Sequence, residues 1–144
     1  MIKVICVGKI KEDYLKEAIL DYTKRINKYH KLEIVQVNDS DMDKEALLIM
    51  KHIDSKDYVI TLEIDGKSVT SIQLSEMIDK LFITNSNITF VIGGSDGLSD
   101  IVKKRSNYAL SFSKLTFPHQ LFRVILLEQI YRAFKIINNE SYHK

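Results

Sequence analysis

ITFVIGGSDG, residues 88–97, places a strand-like apolar run directly before a cluster of three glycines. A second run of this kind, YALSF at 108–112, leads into the loop SKLTFPH at 113–119. The two exits hold three of the chain's five glycines and its only proline. Loops that follow strands in open α/β sheets bind ligands, and glycine lets the backbone approach a ligand closely. We therefore predict one site built from both loops, although Gly93-Gly94 alone is equally typical of a tight turn.

Strand-like runs alternate with helical patterns along the whole chain, which predicts a single α/β domain over residues 1–144. The predicted strands cover residues 2–7, 32–37, 58–64, 88–92 and 108–112. The predicted helices cover residues 12–29, 44–53, 70–82, 100–105 and 118–138. Thr70 and Gln73 form a capping box at the start of the third helix, and Asp65-Gly66 is a turn signal. This order indicates a mostly parallel sheet with helices on both faces.

Charge is distributed unevenly along the chain, although the net charge is only +2. Residues 1–100 carry 13 basic and 17 acidic side chains, whereas residues 101–144 carry 8 basic and 2 acidic ones. A basic C-terminal third is typical of a protein that contacts a polyanion such as RNA. A solvated helical face explains the same charges equally well.

The last predicted helix is apolar around most of its circumference between residues 121 and 137. Such a helix must be covered on more than one side, either by a large core or by a partner subunit. Of these two alternatives, we favour a homodimer contact through residues 118–138.

Several classes of protein are excluded by missing motifs. The chain has no P-loop, no GxGxxG sequence opening its first helix, and no HExxH or GxSxG sequence. Its four histidines lack metal-ligand spacing, its one cysteine lies in an apolar run, and His119 is expected only to decorate a helix start. No run is long enough to cross a membrane or to act as a signal peptide. We therefore expect a cytoplasmic protein without a metal ion.

Four segments resemble a known family closely. They are TLEIDGK at 61–67, FVIGGSDG at 90–97, RSNYALSFSKLTFPHQ at 105–120 and the ending YHK at 142–144. Together with VGK at 7–9 and YTKR at 22–25, they make the chain similar to the RlmH family over essentially its whole length. Members of that family are ribosomal RNA large-subunit methyltransferases of the SPOUT class. The chain is shorter than typical members around residues 38–44, outside these motifs.

The resemblance implies a homodimer with a C-terminal trefoil knot that binds S-adenosylmethionine. It also implies N3 methylation of a pseudouridine in large-subunit (23S) ribosomal RNA on assembled ribosomes. The family's cofactor contacts fall on eight residues of this chain: Leu62, Gly93, Phe112, Ser113, Lys114, Leu115, Thr116 and Phe117. Methyl transfer from a sulfonium needs no metal. A catalytically silent RNA-binding protein that kept the fold is the rival interpretation.

The C-terminal tail is the predicted source of catalytic groups. N3 of the base carries a proton that must leave, so a base or a polarising cation should help. His143 is the best candidate, with Tyr142 and Lys144 orienting the target base. Whether the tail acts within its own subunit or on the partner stays open. Arg105, Arg123 and Arg132 are candidate phosphate contacts, and structural ion pairs are an equal alternative for each.

Overall fold

A computed structural model describes residues 1–143, in which five strands alternate with five helices. The strands are β1 (Ile2–Val7), β2 (Leu32–Val37), β3 (Tyr58–Ser68), β4 (Ile88–Ile92) and β5 (Tyr108–Ser111). The helices are α1 (Asp13–Asn27), α2 (Met42–Lys51), α3 (Ser71–Thr84), α4 (Asp100–Arg105) and α5 (His119–Ile137). The predicted order of elements is confirmed, and so is the capping box of Thr70 and Gln73. No helix within the described residues is long and apolar enough to cross a membrane.

All five strands form one parallel sheet in the order β2-β1-β4-β3-β5. The register aligns Cys6 of β1 with Ile92 of β4, so the loops after these two strands leave the sheet side by side. Because parallel strands all end at the same edge, the loops that follow β1, β4 and β5 meet there. The trefoil knot remains a prediction.

Helices cover both faces of the sheet, as predicted. Alternate residues of β1 point to opposite faces, with Val4 and Cys6 in one core and Ile5 and Val7 in the other. The larger core contains residues of α1, α3 and α5, and the smaller core contains residues of α2 and α4. Burial raises the pKa of the Cys6 thiol to about 11, which makes it an unreactive core residue.

The core of a single subunit explains much of the apolar pattern of α5. This helix packs against both α1 and α3, in addition to the sheet. Its residues that are buried within one subunit are Arg123, Leu126, Leu127, Ile130, Tyr131, Ala133 and Phe134. The core of one subunit therefore covers the side of α5 that carries these buried residues. Only the remaining apolar side chains of the helix are available to a partner subunit.

The turn predicted at Asp65-Gly66 is wrong, because β3 continues to Ser68. Leu62 and Lys67 both align with Leu110 of β5, so the residues between them bulge out of the ladder. A Cβ on Gly66 would lie 2.7 Å from the backbone carbonyl of Ala109. The glycine thus marks a close approach of two strands, which a local sequence pattern cannot distinguish from a turn.

At the opposite edge of the sheet, a buried ion pair and its hydrogen bonds connect the amino-terminal ends of β1, β3 and β4. Lys3 lies 3.5 Å from the carboxylate of Asp57, which is 4% exposed. Asp57 also accepts hydrogen bonds from Asn87, Thr89 and the backbone of Asp54. Burial raises the pKa of Asp57, but these hydrogen bonds and the charge of Lys3 outweigh it, so that the pKa lies below its ordinary value.

Replacing Asp57 with Asn keeps the shape of the side chain but leaves the buried ammonium of Lys3 without its carboxylate. Breaking a buried pair in this way costs on the order of 3–5 kcal/mol. We expect urea denaturation at pH 7 to show a loss of this size. Asp54→Asn is the matched control: Asp54 is largely exposed and lies 3.9 Å from Lys3, so its loss should change stability little.

The same pair of variants predicts a pH dependence. A carboxyl group with a lowered folded-state pKa stabilises the fold above its unfolded pKa, and that contribution disappears as the pH falls through the folded value. The difference in unfolding free energy between wild type and Asp57→Asn should therefore shrink below about pH 4. A difference that stays constant from pH 7 into acid would contradict this assignment.

Candidate functional site

The two strand-end loops line one cavity at the carboxyl edge of the sheet, as the sequence predicted. Seven of the eight predicted cofactor contacts line it: Leu62, Gly93, Phe112, Ser113, Leu115, Thr116 and Phe117. Lys114, the eighth, is not among the described residues that form its wall. The structure thus gathers these residues in one place, and their contact with a cofactor stays a prediction.

The glycine loop after β4 folds back on itself at the mouth of the cavity. The Gly97 amide donates to the Gly94 carbonyl at 3.0 Å, and Gly97 has a left-handed φ of 82°. A Cβ on Gly93 would lie 2.8 Å from the Gly97 carbonyl and 3.1 Å from the Leu98 side chain. The loop is therefore both a tight turn and a cavity wall, and this backbone path requires glycine at Gly93.

Aromatic side chains from the second loop and from α5 form the apolar side of the cavity. Phe122 contacts two of them, with ring centroids 5.1 Å from Phe112 and 5.9 Å from Phe117. Within this loop, Ser113 Oγ accepts a hydrogen bond from the Leu115 amide at 2.9 Å. That bond orders the loop while Leu115 itself remains largely exposed at the rim.

Several cavity residues were not among the eight predicted cofactor contacts: Glu63, Ile64, Ile92, Gly94, Gly97, Leu98, Leu110, His119 and Phe122. His119 was expected only to decorate the start of a helix, but its side chain lines the cavity. The parallel sheet explains this position, because α5 begins at the edge where the glycine loop ends. Phe122 lies one helical turn after Pro118 and was assigned to the apolar pattern of the helix alone.

The buried carboxyl group of Glu45 lies against the glycine loop. Glu45 of α2 is 5% exposed, and its Oε1 lies 3.1 Å from the position that a Cβ on Gly94 would take. Its Oε2 accepts a hydrogen bond from the Ser40 amide at 2.9 Å. Burial raises the pKa of Glu45, and the nearby carboxylates of Asp39 and Asp96 raise it further. No local pattern distinguished this glutamate from Asp43, the exposed acidic residue of the same helix.

The C-terminal tail folds back on its own α5. The Tyr142 hydroxyl donates to Glu128 at 2.9 Å, and Arg132 contacts His143 Nδ1 at 3.1 Å. Lys144 lies outside the described residues. From Phe122, the last residue of α5 that lines the cavity, to Glu128, the helix rises by roughly 9 Å. The catalytic candidates of the tail therefore lie well along α5 from the cavity of their own subunit.

The three predicted phosphate contacts differ in their surroundings. Arg123 is 1% exposed and donates to the carbonyls of Val7 and Gly8, so backbone groups hold its guanidinium inside the subunit, and its contact with a phosphate stays a prediction. Arg105 is half-buried and donates to the carbonyls of Asp54 and Asp57. Arg132 pairs with Glu128 beside the tail.

A second cavity lies next to the first and shares Phe112 and Phe117 as a common wall. Its polar side is formed by Ser71 and Gln129, whose side chains are hydrogen-bonded at 2.7 Å. Ile125 of α5 contributes its apolar side.

Among the described residues, no group of histidine, cysteine, aspartate and glutamate side chains is arranged to hold a metal ion.

Comparisons with known proteins agree with this architecture. The model of the family described as predicted SPOUT methyltransferase matches residues 1–143. A ribosomal RNA large subunit methyltransferase H of Clostridium botulinum (strain Langeland) is 54% identical, with 99% of each chain covered. A putative ribosomal RNA large subunit methyltransferase H of Methanococcus maripaludis is also 54% identical, again with 99% of each chain covered.

A solved structure supports the fold independently of close sequence similarity. It is that of a probable methylase family protein from Haemophilus influenzae Rd KW20, with a TM-score of 0.60. The match covers 99% of this chain and 70% of that chain at 15% identity. At this identity the likeness concerns the fold alone.

Proposed function

The chain belongs to the SPOUT methyltransferase family, and we propose that it methylates large-subunit ribosomal RNA. More specifically, we propose that it transfers a methyl group from S-adenosylmethionine to N3 of a pseudouridine in the 23S RNA of assembled ribosomes in the cytoplasm. The observation that carries the proposal is the cavity that gathers seven predicted cofactor contacts. The relatives over 50% identical along their whole length support the RNA substrate.

The residues of the cavity fit the proposed cofactor. Leu98, Leu110 and Phe122 offer apolar walls for an adenine ring, and the strand-end backbone of the two loops offers hydrogen-bonding groups. No atom lies within 4 Å of the position that a Cβ on Gly97 would take, so the backbone of the glycine loop is open on that side. When bound there, S-adenosylmethionine would supply an electrophilic methyl group: the electron pair of the broken S–CH₃ bond stays on sulfur, which becomes a neutral thioether.

The protein must then position the target base and assist the loss of its N3 proton. In-line transfer requires the methyl carbon and N3 to approach to about 3–3.5 Å. We propose that the tail assists this proton loss, with His143 as the central group and with Tyr142 and Lys144 orienting the target base. An intact tail together with intact cavity loops favours an enzyme over a silent RNA-binding protein.

We propose that the enzyme works as a homodimer in which the tail of one subunit serves the cavity of the other. The separation of roughly 9 Å along α5 between Phe122 of the cavity wall and the tail-binding Glu128 supports this arrangement. Exposed apolar side chains near the two cavities support a subunit contact: Ile64, Ile72, Leu115 and Leu121. Closure of such a contact would cover side chains that water otherwise surrounds.

The basic α4 is the proposed contact with ribosomal RNA. Lys103 and Lys104 are exposed on this helix, and Arg105 follows them with its guanidinium partly occupied by backbone carbonyls. Phosphate contacts of this kind position an RNA without reading its sequence. The described residues form one sheet with its covering helices, which suits a composite RNA-binding surface on an assembled ribosome.

The proposed function is tested by labelled methyl transfer to ribosomes that lack the modification, followed by mass spectrometry of the product nucleoside. We expect one N3-methylated pseudouridine per ribosome and little reaction with the naked RNA hairpin or with ribosomes from cells unable to form the pseudouridine. Equal turnover on hairpin and ribosome would refute the ribosome as substrate. Absence of transfer to any of these RNAs would refute the enzyme.

Gly93→Val tests the cofactor site directly. The Cβ of the new side chain would collide with the Gly97 carbonyl, and its branches would extend into the loop or the cavity. We expect calorimetry to show one S-adenosylmethionine per subunit for wild type and strongly weakened binding for the variant. Ser95→Val introduces the same side chain at an exposed position of the same loop and should bind normally. Equal affinity of both variants would contradict the assignment.

A further inference from the structure

The tail is anchored to α5 by a single carboxylate. Glu128 accepts hydrogen bonds from Tyr142 and from Arg132 Nη2 on Oε1, at 2.9 and 3.1 Å. Its Oε2 accepts from Gln129 at 3.2 Å and from Arg132 Nε at 3.4 Å. Four donors thus occupy the four acceptor positions of one carboxylate. This arrangement leaves Glu128 no capacity to act as a base without losing one of its partners.

Arg132 connects this carboxylate to the histidine of the tail. Two of its nitrogens face Glu128, and the third, Nη1, lies 3.1 Å from His143 Nδ1. Its guanidinium also stacks over the Tyr142 ring at 4.7 Å from the ring centroid, and the Tyr142 ring meets Tyr131 edge-on at 5.1 Å. Arg132 is therefore held from several directions, and its orientation toward His143 is fixed.

The contact between Arg132 and His143 determines which nitrogen of the imidazole carries the proton. A guanidinium has only donors and stays protonated in proteins. The hydrogen bonds that Arg132 donates to Glu128 raise the pKa of its guanidinium further above the ordinary value. His143 Nδ1 must consequently be the acceptor, with a free electron pair. In the neutral imidazole the single proton then resides on Nε2, which can donate a hydrogen bond but cannot accept a proton.

We propose that Glu128 and Arg132 are positioning residues that present His143 as an Nε2–H donor to the target base. This inference rests on the proposed function and narrows the role of the tail. The N3 proton passes to water, and its electron pair remains on the base, where the charge spreads to the carbonyl oxygens next to N3. His143 donates to one of these oxygens and stabilises the anion, whose N3 then takes the methyl group. His143 is thus an electrostatic stabiliser and not the base.

Two substitutions of His143 separate a hydrogen-bond donor from a base. His143→Ala removes both abilities, and loss of a donor of this kind lowers turnover by on the order of 10²–10³-fold. His143→Gln retains an N–H donor near the position of Nε2 but has no basic nitrogen. We expect it to recover most of the turnover that His143→Ala loses. A His143→Gln enzyme as inactive as His143→Ala would overturn the donor role.

The positioning role has a readout that needs no methyl transfer. In protein labelled with ¹⁵N-histidine, we expect the neutral His143 ring of wild type as one tautomer, with Nδ1 unprotonated and Nε2 protonated. The spectrum of His143→Gln assigns the ring among the four histidines. Arg132→Met should release it into a mixture of tautomers, whereas Arg25→Met, which removes a nearby cation that stacks over Tyr22 and Tyr131, should not.

The measurement of the His143 tautomer and the methyl-transfer assay test different claims, so one can fail while the other succeeds. A wild-type ring that carries its proton on Nδ1, or that averages between tautomers, would overturn the positioning by Arg132 even if methyl transfer is normal. A wild-type enzyme that transfers no methyl group would refute the proposed function, while the tautomer would still be decided by the spectrum. Glu128→Gln completes the series, since it weakens the hold on Arg132 and should shift the His143 ring in the same direction as Arg132→Met.

Discussion

Removal of Tyr142, His143 and Lys144 is expected to abolish methyl transfer while cofactor binding persists. The tail supplies the only predicted catalytic groups, whereas the cavity is built from strand-end loops and from the first turns of α5. The truncated chain should therefore still give the calorimetric signal of S-adenosylmethionine. Its turnover on ribosomes lacking the modification should fall by at least as much as that of His143→Ala.

Folding of the truncated chain must be checked, because the tail is less independent than a frayed end would be. Tyr142 packs against the larger core and donates to Glu128, so its loss should lower the unfolding temperature slightly without unfolding the protein. Tyr142→Phe keeps the packing and removes only the hydroxyl, which separates these effects. Full activity in a folded, truncated protein would exclude the tail from the mechanism.

Mixed dimers determine which subunit the tail serves. One subunit lacks residues 142–144, and the other carries Gly93→Val in its glycine loop. If the tail acts across the interface, the intact tail of the second subunit completes the intact cavity of the first, and the dimer regains one working site. If the tail acts within its own subunit, neither cavity is complete and the mixed dimer remains inactive.

The order of secondary structure could be predicted because each element carries its own periodicity. The arrangement of the strands could not, since the order β2-β1-β4-β3-β5 depends on pairings between segments far apart in the chain. Gly66 illustrates the limit within one strand. Its tight contact with Ala109 is a feature of two strands, and the sequence around Asp65-Gly66 carries only the local signal of a turn.

The candidate site likewise has parts that the sequence predicts and contacts that it does not. The loops could be identified because glycine and proline follow two apolar runs, and parallel strands bring such loops together. Arg123 was a candidate phosphate contact on its charge, with a structural ion pair as the equal alternative, but its partners are carbonyls of Val7 and Gly8, more than a hundred residues away. Glu128 was overlooked for a similar reason: its bond to Tyr142 crosses the end of α5, which no helical spacing predicts.

Glutamate at two adjacent positions of α5 should have two different effects: unfolding of the subunit at position 126, and dissociation of the proposed dimer at position 125. Leu126 is 0% exposed within one subunit, so Leu126→Glu places an unpaired charge in the larger core. A penalty of several kcal/mol is comparable to the whole stability of a domain, and we expect this variant to unfold. Ile125 is only partly buried and lines the second cavity, on the side of α5 that the proposed partner would cover.

Ile125→Glu is therefore expected to remain folded but to dissociate the proposed homodimer, because the new charge would have to be buried in the contact. Circular dichroism and analytical ultracentrifugation at micromolar concentration distinguish the two outcomes, with Ile125→Ala as the control for lost volume. The monomeric variant should retain cofactor binding and lose methyl transfer if the tail acts across the interface. A folded Ile125→Glu protein that stays dimeric would place the contact on another face. A stable, active wild-type monomer would reject the obligate dimer, because one subunit would then hold both the cavity and the tail that serves it.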